Sequence, residues 1–141
     1  MTGKIHLNYV IPGDDFTRAG EASGEVKKKL KQMGVSPEAV RKVAISMYEG
    51  EINMVIHANG GTIDVDISTT DITIVLKDNG PGIKDVALAM QAGYSTAPDK
   101  VRALGFGAGM GLPNMKKYSD NLIIDTKLGY GTTVTIVVKI G

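Results

Sequence analysis

Five stretches of the chain alternate apolar and polar residues with a period of two, and two longer ones repeat at helical spacing. Ile5, Leu7, Tyr9 and Ile11 mark Lys4–Ile11 as a first strand. Phe16, Ala19, Val26, Leu30 and Met33 then recur at helical spacing. Asp14 or Asp15 is placed to cap that helix, and Gly34 to end it after Met33. Ser36-Pro37 starts a second helix, with serine as N-cap and proline at the first helical position. It is expected to run to about Ala58, where Asn59-Gly60-Gly61 breaks it. Thr62–Ser68 sets Ile63, Val65 and Ile67 against Asp64, Asp66 and Ser68, the signature of a half-buried strand. Asp71–Leu76 repeats the pattern, and the two are expected to form an antiparallel hairpin. Asn121–Thr126 and Thr132–Lys139 form a second pair, joined across Lys127–Gly131.

Hairpins with helices gathered before and between them predict an α+β two-layer sandwich. It would hold one mixed, mostly antiparallel sheet with helices on one face. Residues 1–141 read as one domain, without repeat or linker. Between the hairpins, residues 78–118 hold no strong strand, only a short helical stretch near Asp85–Gln91 and a helix start near Pro113. So long a connection in a compact domain is usually functional.

Composition sharpens that point. Glycine makes up 18 of the 141 residues, about 13% against an average of about 7%. Many of these glycines cluster in and beside the long connection. The formal charge of +1 argues against a dedicated nucleic-acid binder. With no cysteine there is no disulfide framework. No apolar run is long enough for a membrane span, and residues 1–6 lack the apolar core of a signal peptide. A cytoplasmic protein without nucleic-acid or membrane partners is expected.

Four segments carry candidate chemistry. Glu49, Asn53 and His57 are spaced i, i+4, i+8 on the second helix and share one face. A carboxamide oxygen at Asn53 suits Mg²⁺, and Glu49 one turn away suits proton acceptance from an attacking hydroxyl. His57 reads as a helix-end packing or capping residue. Asp78-Asn79-Gly80-Pro81-Gly82 leaves the end of a strand. There a carboxylate can accept from an exocyclic amine, and Gly80 and Gly82 let a flat ring approach. Gly105, Gly107, Gly109 and Gly111 alternate and run into Leu112-Pro113-Asn114, a loop of backbone donors ahead of a helix start that suits a polyphosphate. It is neither a P-loop nor a dinucleotide fingerprint. Last, Gly131-Thr132-Thr133 opens the final strand with hydroxyls able to point at the same cavity.

In this order, Glu49-x-x-x-Asn53, Asp78-x-Gly80-x-Gly82, Gly107-x-Gly109-x-Gly111 and Gly131-Thr132 resemble the N, G1, G2 and G3 boxes of the GHKL ATPase superfamily. The resemblance covers roughly Arg41 to Lys139. Gly93-Tyr94-Ser95-Thr96 and Gly111-Leu112-Pro113 look most like the bacterial anti-sigma factor and switch-protein serine/threonine kinases.

The resemblance implies ATP and Mg²⁺ as cofactors. Asp78 would take the adenine amino group, helped through water by Thr132 or Thr133. Asn53 would hold Mg²⁺, and Glu49 would be the general base. Gly105, Gly107, Gly109, Gly111 and Leu112 would line the phosphates beneath a lid at about residues 93–109. The implied partners are a STAS-type antagonist as phosphoacceptor and a sigma factor or other regulator, with a homodimer typical of such kinases. Phe16, Val26 and Leu30 would suit either the core or a dimer seam. Ile56 stands where many histidine kinases carry a basic residue, and residues 97–104 extend the minimal lid. Two alternatives remain. One is a nucleotide-dependent partner switch with little transfer, and the other a detached histidine-kinase catalytic domain.

Overall fold

The computed structural model describes residues 5–13, 18–57, 60–80, 82 and 111–140. Its elements in chain order are β1 (Ile5–Pro12), α1 (Glu21–Gln32), α2 (Pro37–His57), β2 (Gly60–Ile67), β3 (Asp71–Lys77), α3 (Gly111–Lys117), β4 (Asn121–Lys127) and β5 (Gly131–Lys139). The strands form one sheet in the order β1-β2-β3-β5-β4. Each of the four pairings is antiparallel. Both expected hairpins are present, and β5 inserts beside β3, which places the start of β5 next to the end of β3.

The period-two pattern decides which sheet face meets the helices. Ile63, Val65 and Ile67 of β2, Ile72, Ile74 and Leu76 of β3, and Val134, Ile136 and Val138 of β5 are all buried. They share one core with Val26 and Leu30 of α1, Val40, Val43 and Met47 of α2, and Met115 of α3. The α+β two-layer sandwich expected from the sequence is therefore the fold. Val26 and Leu30 are fully buried inside it, which assigns them to the core rather than to a dimer seam. Phe16, the short stretch 85–91 and the lid 93–109 lie outside the described residues.

Two boundaries depart from expectation. The first helix begins at Glu21, after Gly20 in the left-handed conformation (φ 93°), and not at Asp14 or Asp15. Its cap comes from another element. Glu51 of α2, only 1% exposed, accepts from the main-chain N–H groups of Gly20 and Ala22 through Oε2 and of Ser23 through Oε1, at 2.9, 3.3 and 2.9 Å. Each such bond to a carboxylate contributes about 1.5–3 kcal/mol, and the carboxylate also complements the helix dipole. The second departure is at β2, which begins at Gly60, in the pair expected only to break the helix, and not at Thr62. A Cβ at Gly61, whose φ is 153°, would strike the Lys77 main-chain oxygen. Glycine is needed there for close approach within the sheet.

Candidate functional site

α2 is built as expected at its start, where Ser36 Oγ accepts from Ala39 N–H at 3.3 Å. Its buried stripe turns Glu49 and Asn53 onto a half-buried face one turn apart. The backbone of His57 ends the helix, and its side chain lies outside the described residues. Between the two polar residues sits Gly50. A Cβ there would stand 2.5 Å from Leu76 Cδ2 and 3.4 Å from Met115 Sδ. The missing side chain lets α2 settle closely on Leu76 of β3, with Met115 of α3 in ordinary contact beside it. There the Asn114 amide donates to Glu49 Oε1 at 3.3 Å.

Asp78 follows the last residue of β3. Its Oδ1 accepts from Gly80 N–H at 2.9 Å and from Thr132 N–H at 3.1 Å. Its own N–H donates to the Thr132 oxygen at 3.0 Å. One oxygen is thus committed to two main-chain donors, which fixes the direction in which the carboxylate presents the other. Gly131, at φ 127°, makes this approach possible, because a Cβ there would collide with the main-chain oxygen of Asp78. Gly82 packs in the same way against the β4–β5 turn, where a Cβ would lie 2.6 Å from the Lys127 oxygen. From the Cβ position of Gly61, Met54 Cε is 2.7 Å away and Asp78 Cα 3.1 Å. The α2 turn carrying Asn53 and the Asp78 corner therefore share one end of the sheet.

Thr132 belongs to that corner. It is buried, and its hydroxyl shares a 2.8 Å hydrogen bond with Thr126. Thr133 takes the next position and, by strand alternation, the opposite face. The geometry brings Thr132, not Thr133, to Asp78. Gly111 opens α3, with Leu112 buried beneath it and Pro113 in the first turn, where a missing N–H costs nothing. The glycine run does lead into a helix, whereas Gly105, Gly107 and Gly109 themselves lie outside the described residues.

Burial, followed by the Glu49 and Glu51 charges, raises the pKa of Tyr48 above its ordinary value, so the phenol stays protonated at neutral pH. Among the described residues, no group of three or more His, Cys, Asp or Glu could hold a metal on its own. A cation at Asn53 would need oxygen ligands from elsewhere, as Mg²⁺ held between one side chain and phosphates has. Also among the described residues, no helix is long and apolar enough to cross a membrane. Two side chains with defined work escaped sequence reading. Glu51 and Asn114 act on partners 28–31 and 65 positions away, so no local pattern announces them.

Residues 47–141 match the family described as histidine kinase-, DNA gyrase B- and HSP90-like ATPases. The chain belongs to that family. As a member of it, the chain carries an ATP-binding domain. It is 33% identical over 137 residues to a protein named anti-sigma F factor from Clostridium botulinum (strain Eklund 17B / Type B), covering 93% of this chain and 90% of that one. It is 31% identical over 141 residues to another of that name from Clostridium acetobutylicum, covering 95% and 92%. Among solved structures it resembles the RsbU and RsbW domains of Rv1364c from Mycobacterium tuberculosis. There the TM-score is 0.63 at 14% identity, over 99% of this chain and 33% of that one. At that identity the likeness speaks for the fold alone.

Proposed function

We propose that this chain is an ATP-dependent protein serine/threonine kinase of the anti-sigma factor type. It would phosphorylate a STAS-like antagonist and regulate transcription or stress signalling. The observation that carries the reading is Glu49, a half-buried carboxylate one helical turn before Asn53, at the end of the sheet where Asp78 is fixed. A module that merely bound nucleotide would have no use for a proton acceptor at that place.

The residues fit ATP. Asp78 Oδ1 is saturated by two main-chain donors, so Oδ2 is the oxygen to take the adenine amino group, with Thr132 beside it. Gly82 and Gly131 permit the close backbone packing that shapes this corner, Gly80 would let the flat ring approach, and Gly105, Gly107, Gly109 and Gly111 would supply main-chain donors to the phosphates. Asn53 would hold Mg²⁺, which when bound offsets the negative charge on the phosphates. Glu49 accepts the proton of the acceptor hydroxyl as it attacks in line.

The names of the similar clostridial proteins support a sigma factor as a second partner, and a homodimer and a cytoplasmic location belong to the same reading. The test is transfer to a STAS-type protein in the presence of ATP and Mg²⁺. The expected product is an acid-stable phosphoserine or phosphothreonine, formed by the wild type and lost in Glu49→Gln. A partner that binds in a nucleotide-dependent way without gaining phosphate would replace this reading with a switch.

A further inference from the structure

We infer that Asn114 is a positioning residue for the Glu49 base. The inference rests on the kinase reading and adds to it the group that aims the carboxylate. Among the described residues, the hydrogen bond that reaches the Glu49 carboxylate is the one from Asn114 Nδ2 to Oε1, at 3.3 Å. A carboxylate on a helix face turns freely about its terminal bonds unless one oxygen is held. With Oε1 held by an amide donor, Oε2 is presented in one direction.

The donor is itself well anchored. Asn114 lies between Leu112 and Met115, which are 7% and 1% exposed and tie α3 into the core. Gly50, next to Glu49, packs into the same core, its Cβ position 2.5 Å from Leu76 Cδ2 and 3.4 Å from Met115 Sδ. The contact thus joins two elements held by apolar packing on either side. An amide suits the task because its NH₂ donates to a carboxylate and does not compete for the proton. In the transfer step, the O–H bond of the acceptor breaks and its proton moves to Glu49 Oε2. A bond forms between the acceptor oxygen and the γ-phosphorus, while the bond from that phosphorus to the β–γ bridging oxygen breaks. ADP leaves with the electron pair. Asn114 touches none of the reacting atoms.

The test compares Asn114→Ala and Asn114→Asp with the wild type in single-turnover transfer from ATP to a STAS-type acceptor, alongside ATP affinity and thermal unfolding. Alanine favours helix, so Asn114→Ala is expected to unfold at the wild-type temperature and to bind ATP within about twofold, with the transfer rate lower by about tenfold, the size of a lost bond to a charged group. Asn114→Asp places a second carboxylate against Glu49, and the acid limb of its rate–pH profile should move up by about one unit. In a Glu49→Gln background, Asn114→Ala should have no further effect. The inference is overturned by an unchanged transfer rate in Asn114→Ala. An unmoved acid limb in Asn114→Asp, or a rate loss matched by an equal loss of ATP affinity, overturns it too. If the wild type itself transfers nothing, the kinase reading fails first and this inference falls with it.

Discussion

Two carboxylates sit two residues apart on α2, and they do opposite work. Glu51 points toward α1, is buried, and has its oxygens taken by three main-chain N–H groups. Glu49 points toward α3, is half-buried, and is met by one side-chain amide. The first is spent on structure, because its acceptor sites close an otherwise uncapped helix start. The second keeps acceptor capacity, which the proposed function gives to a ligand. Residue type and spacing do not separate the two roles. What separates them is whether the surrounding backbone has already claimed the lone pairs.

That contrast breaks most visibly at Glu49. Glu49→Gln should lower phosphoryl transfer about a thousandfold, within the range of lost general-base catalysis. ATP affinity and unfolding temperature should stay near wild type. Glu51→Ala should do the reverse, destabilising the fold by about 3 kcal/mol by leaving buried donors unpaired. A denaturant titration would read that loss, and Glu51→Gln should fall between, since it keeps one acceptor oxygen. Were Glu51→Ala to leave stability unchanged, the division of labour on α2 would be mistaken.

Asp78 stands between these extremes, with one oxygen claimed by the backbone and the other, in the proposed function, left for ligand. Asp78→Asn retains the Oδ1 acceptor and turns the second position into a donor. ATP affinity by calorimetry should fall about tenfold, the loss of one bond to a charged acceptor, with the fold retained.

The smallest effect belongs to a charge cluster on the outer sheet face. His6 meets Asp66 at 2.7 Å and Asp64 at 3.1 Å across β1 and β2. The Asp66 hydrogen bond is the largest cause of its raised pKa. Its folded pKa therefore lies above its unfolded value near 6.5. The stabilisation is fully present below the unfolded value and is lost as pH rises through the folded one. Unfolding temperatures at pH 6 and pH 8 should show a slight fall for the wild type that His6→Gln lacks. Solvent screening keeps it slight.

The same contrast explains what could be read in advance. Strand faces were legible because Ile63, Val65 and Ile67 alternate with Asp64 and Asp66, so burial follows residue by residue. The start of α1 was not, because its cap is Glu51, 30 positions beyond Glu21, and a local search finds only Asp14 and Asp15. Gly60-Gly61 read only as a helix breaker, because the same residue that breaks a helix also permits strands to approach closely. At the proposed site, Glu49, Asn53, Asp78 and Thr132 stand out along the chain because their order resembles a known set of boxes. Asn114 was not, because a single hydrogen bond across α2 and α3 leaves no pattern along the chain.

The account turns on whether Glu49 takes a proton during transfer to a protein hydroxyl. Intact-mass measurement of a STAS-type partner, incubated with ATP, Mg²⁺ and either wild type or Glu49→Gln, tests this directly. The account predicts one added phosphoryl group, stable to acid, with the wild type and an unmodified partner with the variant. Equal phosphorylation by both, or a partner that binds with nucleotide yet keeps its mass with the wild type, would contradict it.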